Sequence, residues 1–223
     1  MAGFRGRPPR VAILGGTGDL GMGLAFRVCR GREVIVGSRD PERARARARE
    51  YAALAGCDGI WGTSNAEAAR LGDYVVLATP ADALPRILSE VVGEIGEGSL
   101  VISPVVPMAR RGGALVYDES MFGPRSAAEY VAERTGRRVA AAFHTVPAGL
   151  LADLRRPLDV DVLVASGDAE FAEIRDGLSI EGVRYLHAGP LEAARCLERM
   201  VPLLLEVGRR NRIRNPYVKV IGP

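Results

Sequence analysis

Two short stretches hold the residues whose types and spacing suit chemistry: Val11-Ala-Ile-Leu-Gly-Gly-Thr-Gly-Asp-Leu-Gly21 and Val36-Gly-Ser-Arg39. The first sends an apolar run into Gly16-x-Gly18-x-x-Gly21, a glycine turn that opens a helix. There Gly16 permits a tight turn, Gly18 lets the backbone approach a pyrophosphate, and Gly21 allows helix and strand to pack closely. Free N–H groups and the positive end of the helix dipole face the anion. The second stretch discriminates between dinucleotides. In NAD-binding folds a carboxylate about 20 residues past the glycines bonds the ribose hydroxyls. Here that place is Ser38-Arg39, whose hydroxyl and guanidinium suit a 2′-phosphate. Asp40 follows, but Asp40-Pro41-Glu42 reads as a helix cap with proline at the first helical position. Arg43, one turn in, reaches the same phosphate. NADP is the expected cofactor.

A proton donor is hard to find. Tyr-x-x-x-Lys is absent, since Lys219 is the only lysine. No Cys/His cluster has metal-ligand spacing, and there is no Gly-x-Ser-x-Gly elbow. Of the two histidines, His187 lies in Leu186-His-Ala-Gly-Pro190 and reads as a surface or capping residue. His144 follows a strand directly at its ligand-facing end, so its position suggests a site residue more than its chemistry suggests a catalyst. Three proline-bearing strand ends stand out instead: Thr79-Pro80, Ser103-Pro-Val-Val-Pro107 and His144-Thr-Val-Pro147. In a doubly wound sheet they border one crevice. They offer rigid backbone and small side chains, which hold flat rings but contribute little acid–base chemistry. A hydride acceptor carrying its own redox ring fits such a site.

The elements that must position these residues alternate. Strands are expected at 11–14, 33–36, 59–61, 74–78, 100–103, 139–143, 160–165 and 183–186. Helices are expected at 20–29, 41–55, 65–71, 84–92, 126–135, 169–178 and 191–209. That alternation means βαβ units and an α/β, Rossmann-type doubly wound, mostly parallel sheet with a long C-terminal helix. Residues 1–10 read as a flexible basic tail and 11–223 as a single domain.

Composition agrees with an ordinary globular chain: 223 residues, 48% hydrophobic and 26% charged. The net charge is only +3 and no basic block stands alone, so no nucleic-acid partner is expected. Arg43, Arg45, Arg47 and Arg49 spread around one helix as a solvated face. No apolar run reaches the roughly 20 residues of a membrane helix, and no signal peptide is visible. Cys29, Cys57 and Cys196 are odd in number and free of CxxC pairing, so reduced thiols in a cytoplasmic protein are expected. Gln is absent and Asn occurs only at 65, 211 and 215, which fits a thermophilic source as the Arg bias fits genome composition.

Gly15-Gly-Thr-Gly-Asp-Leu-Gly21, Val36-Gly-Ser-Arg39, Ser103-Pro-Val-Val-Pro107, His144-Thr-Val-Pro-Ala148 and Ala188-Gly-Pro-Leu191, in this order, resemble the F420-dependent NADP reductases. The resemblance spans residue 11 to about residue 205. It implies hydride transfer between NADPH and the deazaflavin coenzyme F420. It also implies that Thr17, Gly18, Asp19 and Leu20 hold the pyrophosphate, and that Ser38, Arg39 and Arg43 hold the 2′-phosphate. Thr79, Pro80 and Ala148 would line the nicotinamide, and Ser103, Pro104, Val105 and Pro107 the deazaflavin. A homodimer is implied, with the C-terminal helix as a contact. Asp19 stands where the family often has Asn, and Ala81-Asp82-Ala83 replaces a bulkier stretch. Two other readings remain: an NADP-dependent reductase of a small imine or ketone, and a non-catalytic NADP sensor.

Overall fold

The structure is a computed structural model, and it describes residues 7–222. The elements run β1 (Arg10–Leu14), α1 (Asp19–Val28), β2 (Glu33–Ser38), α2 (Pro41–Ala55), β3 (Ile60–Ser64), α3 (Asn65–Leu71), β4 (Tyr74–Leu77) and α4 (Leu84–Val91). They continue with β5 (Leu100–Ser103), β6 (Met108–Arg111), β7 (Ala114–Tyr117), α5 (Ala127–Thr135), β8 (Arg138–Ala141) and α6 (Ala148–Ala152). β9 (Val160–Val164), α7 (Asp168–Gly177), β10 (Val183–His187), a 3-10 turn (Leu191–Ala193) and α8 (Ala194–Asn211) complete the chain.

Six strands form one sheet in the order β3-β2-β1-β4-β5-β8, every neighbouring pair parallel. The reversal of order at β1 and β4 makes a topological switch point, where such sheets bind ligands at their carboxyl ends. Strand residues alternate between two cores. Val11 and Ile13 pack with Leu24, Phe26 and Tyr51 on one face, while Ala12 and Leu14 pack with Ala68, Leu84 and Leu88 on the other. Both faces are covered, which explains the continuous apolar runs of the strands.

β9 and β10 pair parallel in a separate two-stranded sheet, joined to β8 by the Ala141–Ala165 bridge. Arginines from α1 and the loop after it tie the later elements down. Arg27 donates to the carbonyls of Leu151 and Asp153 at 2.8 Å each, and Arg32 donates to Gly177 O at 2.6 Å. These carbonyls end α6 and α7, where cations compensate unpaired C=O groups. A cavity of about 710 Å³ lies beside them, lined by Arg27, Arg30, Arg32, Arg156 and Glu181 among others. It opens beside the loops leading into β2, β9 and β10, away from the glycine turn.

Several expectations need correction. An antiparallel hairpin, β6–β7, follows the Ser103-Pro107 stretch, where no strand is expected from the sequence pattern. The short helix α6 likewise lies where the sequence pattern predicts no helix. The strand expected at 139–143 is Arg138–Ala141, because Phe143 takes a left-handed φ of 68° that ends the extended run. Reduced thiols are overturned at two of the three cysteines: Cys29 and Cys57 form a disulfide, and Cys196 is free and exposed. The packing of α1 against α2 brings together cysteines 28 positions apart. Of the expected tail, residues 1–6 lie outside the described residues. Arg7 donates to both Asp73 carboxylate oxygens at 2.7 Å. Among the described residues no helix is long and apolar enough to cross a membrane.

Candidate functional site

Beyond β1 the chain enters its turn through Gly15, whose φ is +70°. The left-handed position is therefore Gly15, one residue before the glycine expected to make the tight turn. Gly16 is required for space: a Cβ there would lie 2.6 Å from Ile13 O. Gly21 is required more strictly, since its Cβ would lie 2.5 Å from Gly16 Cα. Gly18 differs. The nearest atom to a Cβ at Gly18 is 3.8 Å away, so its missing side chain leaves open approach to the backbone. Gly18 caps α1 without a side-chain hydrogen bond, and Asp19 begins the helix with its side chain exposed. The first-turn N–H groups of α1 are thus left without a side-chain cap, beside a turn that Gly15 and Gly16 keep compact.

The turn is braced from three directions. Gly16 N donates to Gly37 O at 3.0 Å, and Tyr51 Oη of α2 donates to Gly16 O at 3.3 Å. Asn65 Oδ1, from the start of α3, accepts the Gly15 N–H at 3.2 Å. The sequence pattern did not single out Tyr51 or Asn65, and no local signal links them to a turn 35 and 50 positions away.

At the end of β2, Ser38 is buried and Arg39 and Arg43 are exposed. Asp40 Oδ1 accepts the Glu42 and Arg43 amides at 3.0 and 3.2 Å, the cap expected from the sequence. Arg39 and Arg43 form no ion pair among the described residues. Two cations and a hydroxyl thus stand beside the glycine turn.

The three proline-bearing ends fall on β4, β5 and β8, consecutive neighbours in the sheet. Thr79 lies close to the turn, its Cβ 3.5 Å from where a Gly15 Cβ would stand. Thr79 is half-buried, Pro80 is exposed, and Ser103, Pro104, Val105 and Pro107 are buried. Ser103 pairs with Ala141 across the β5–β8 register, and its carbonyl accepts the Ala142 N–H at 3.2 Å. His144 is buried, and Pro147 and Ala148 are half-buried at the start of α6.

Burial leaves a chemical signature here. Ser103 Oγ and both ring nitrogens of His144 are buried with no hydrogen-bond partner among the described residues. Such groups are costly unless satisfied. Desolvation holds the His144 imidazolium down at about 3, so the ring is neutral at physiological pH. A neutral imidazole can donate one hydrogen bond and accept another, but it carries no proton to give. A cavity of about 270 Å³ adjoins residues 144–148 and is walled on its other sides by Val201, Leu204 and Leu205 of α8 and by Asn215 and Pro216. His187 sits apart on β10, stacked on Phe171 at 4.8 Å. Among the described residues no group of three or more His, Cys, Asp or Glu is placed to hold a metal ion.

A Rossmann-type sheet, an uncapped glycine turn at its switch point and paired cations after β2 define the class of dinucleotide-binding oxidoreductases. The comparisons narrow it. Residues 10–107 match the family model described as NADP oxidoreductase, coenzyme F420-dependent. The chain is 39% identical to the F420-dependent NADP reductase of Methanothermobacter marburgensis, over 95% of this chain and 97% of that one. It is 37% identical to the enzyme of the same name from Methanothermobacter thermautotrophicus, over 95% and 94%. A crystal structure from Arthrobacter sp. FB24 superposes with a TM-score of 0.78 at 22% identity, covering 96% of this chain and all of that one. The chain belongs to the family of F420-dependent NADP oxidoreductases.

Proposed function

We propose that this chain transfers hydride directly between NADPH and coenzyme F420, with no protein acid or base taking part. The carrying observation is the trio of unpartnered buried polar atoms, Ser103 Oγ and the two His144 nitrogens, at the ends of the adjacent strands β5 and β8, on the same sheet edge as the glycine turn. They suit a planar ligand that brings its own donors and acceptors, as a deazaflavin does. The bound cofactors supply the two-electron chemistry, and the protein supplies distance and orientation.

In this reading, the backbone of Thr17, Gly18, Asp19 and Leu20 holds the pyrophosphate, Gly16 shapes the turn with its own N–H committed to Gly37 O, and Gly21 keeps the helix close. Ser38, Arg39 and Arg43 hold the 2′-phosphate. Thr79, Pro80, Pro147 and Ala148 line the nicotinamide, while Ser103, Pro104, Val105, Pro107 and His144 line the deazaflavin. The exposed Asp19 carboxylate leaves its backbone N–H as the useful group. Neutral His144 supports the absence of a protein proton donor.

Residues 11–223 act as one unit. A homodimer accounts for Leu203 and Val207, 64% and 41% exposed one helical turn apart on α8. No nucleic-acid partner is proposed, because Arg45 and Arg47 pair with Glu42 and Glu50 on α2. A cytoplasmic location accommodates the Cys29–Cys57 disulfide if the source is a hyperthermophile, whose intracellular proteins carry disulfides.

His144→Gln tests the absence of acid–base catalysis. The variant should keep its maximal rate within about tenfold and change mainly the KM for F420. General acid–base groups contribute roughly 100- to 10,000-fold. A loss of that size with unchanged KM would make His144 a proton donor and contradict the proposal.

A further inference from the structure

The glycine turn is held in shape by a side chain from outside it. Asn65 is the first residue of α3, 4% exposed, with Ser64 capping the helix before it. Its Oδ1 accepts the Gly15 N–H at 3.2 Å. The same oxygen lies 2.9 Å from where a Cβ on Gly37 would stand, so it sits between the carboxyl ends of β1 and β2. Leucine at 65 shares the branching of Asn but removes the side-chain acceptor that this N–H has among the described residues. The left-handed φ of Gly15 and the donation of Gly16 N to Gly37 O fix the same corner. These contacts join the turn to the strand that leads into Ser38 and Arg39.

We infer that Asn65 is a positioning residue for NADP. By holding the Gly15 amide it preorganises the glycine turn, so that the N–H groups after it already point where the pyrophosphate will sit. Without its acceptor the Gly15 N–H is free to rotate outward, and the turn then loses the alignment of the amides that follow. This step uses NADP as the cofactor and does not depend on where the deazaflavin binds.

Asn65→Leu tests it through the pattern of losses. Dissociation constants for NADPH and NADH should both rise on the order of tenfold, because both nucleotides share the pyrophosphate. Their ratio should stay within about twofold, and so should the KM for F420. Unchanged affinity alongside a lower melting temperature would make Asn65 merely structural and overturn the inference. A loss confined to NADPH would also overturn it, since that places Asn65 at the 2′-phosphate end. Amide exchange in the unaltered protein tests it independently of how the variant folds. The Gly15 N–H should be protected before nucleotide is added and should gain little when NADPH binds. A Gly15 amide that exchanges freely until NADPH binds would refute preorganisation by Asn65.

Discussion

The Asp40 carboxylate accepts the backbone N–H of Glu42 at 3.0 Å, and through that bond it is committed to capping α2. A carboxylate in this stretch would be the natural partner of a free ribose hydroxyl, and capping removes it from that role. Arg39 and Arg43 are left as the cations beside the glycine turn. Arg39→Ala should therefore weaken NADPH by roughly ten- to hundredfold, the worth of one charge-assisted hydrogen-bond set, and barely change NADH. Titration of both nucleotides against the variant checks this. Equal losses would contradict the 2′-phosphate assignment.

His144 makes stability depend on pH in a definite direction. In the unfolded chain its imidazole titrates near about 6.5, whereas burial holds the folded value at about 3. Between these values the unfolded state binds the proton and the native state does not, so stability falls as pH drops below about 6.5. Buried Glu198 works oppositely: desolvation raises its carboxyl to about 7, so stability falls as pH rises toward 7. The unaltered protein shows both slopes at once. Denaturant titrations of His144→Gln beside it isolate the first, and the variant should lose less stability on acidification. Parallel curves would refute the assignment.

The glycines of the turn separate folding from binding. A Cβ at Gly21 would press on Gly16 Cα at 2.5 Å, whereas a Cβ at Gly18 meets nothing within 3.7 Å because its nearest neighbour is at 3.8 Å. Gly21→Ala should cost about 1–3 kcal/mol of stability through overpacking. Gly18→Ala should melt like the unaltered protein yet bind NADPH more weakly. Thermal melts and nucleotide titrations on the two variants check the pair, and the reverse order would contradict the geometry.

The Cys29–Cys57 disulfide closes a loop with a sequence separation of 28, for which chain entropy gives about 3–4 kcal/mol of stabilisation. Reductant should lower the melting temperature on the order of 10 °C. Identical melts with and without reductant would show that the bond contributes nothing.

Much of this architecture was legible because both faces of the main sheet are buried. β1, β2, β4 and β5 read as apolar runs bounded by turn residues, and the Asp40 cap was readable from Asp-Pro-Glu alone. The Met108–Arg111 strand of the β6–β7 hairpin lacks a strand-like apolar pattern, but the hairpin carries its signal at the turn. Gly112 and Gly113 separate the two strands with φ of 57° and 80°, as a tight hairpin turn requires. α6 is only five residues long, too short for helical periodicity to register. Asn65 and the disulfide depend on contacts between distant positions, which no local pattern encodes. The site itself was legible as motifs. The burial that neutralises His144 was not, because burial of a loop residue depends on contacts between distant positions.

The central claim is hydride transfer between the two cofactors, and deazaflavin absorbance reads it directly. Protein mixed with NADPH and oxidised F420 should bleach the deazaflavin band as NADPH absorbance falls in equal molar amount. NADPH that binds normally while the deazaflavin band stays unchanged would contradict the account.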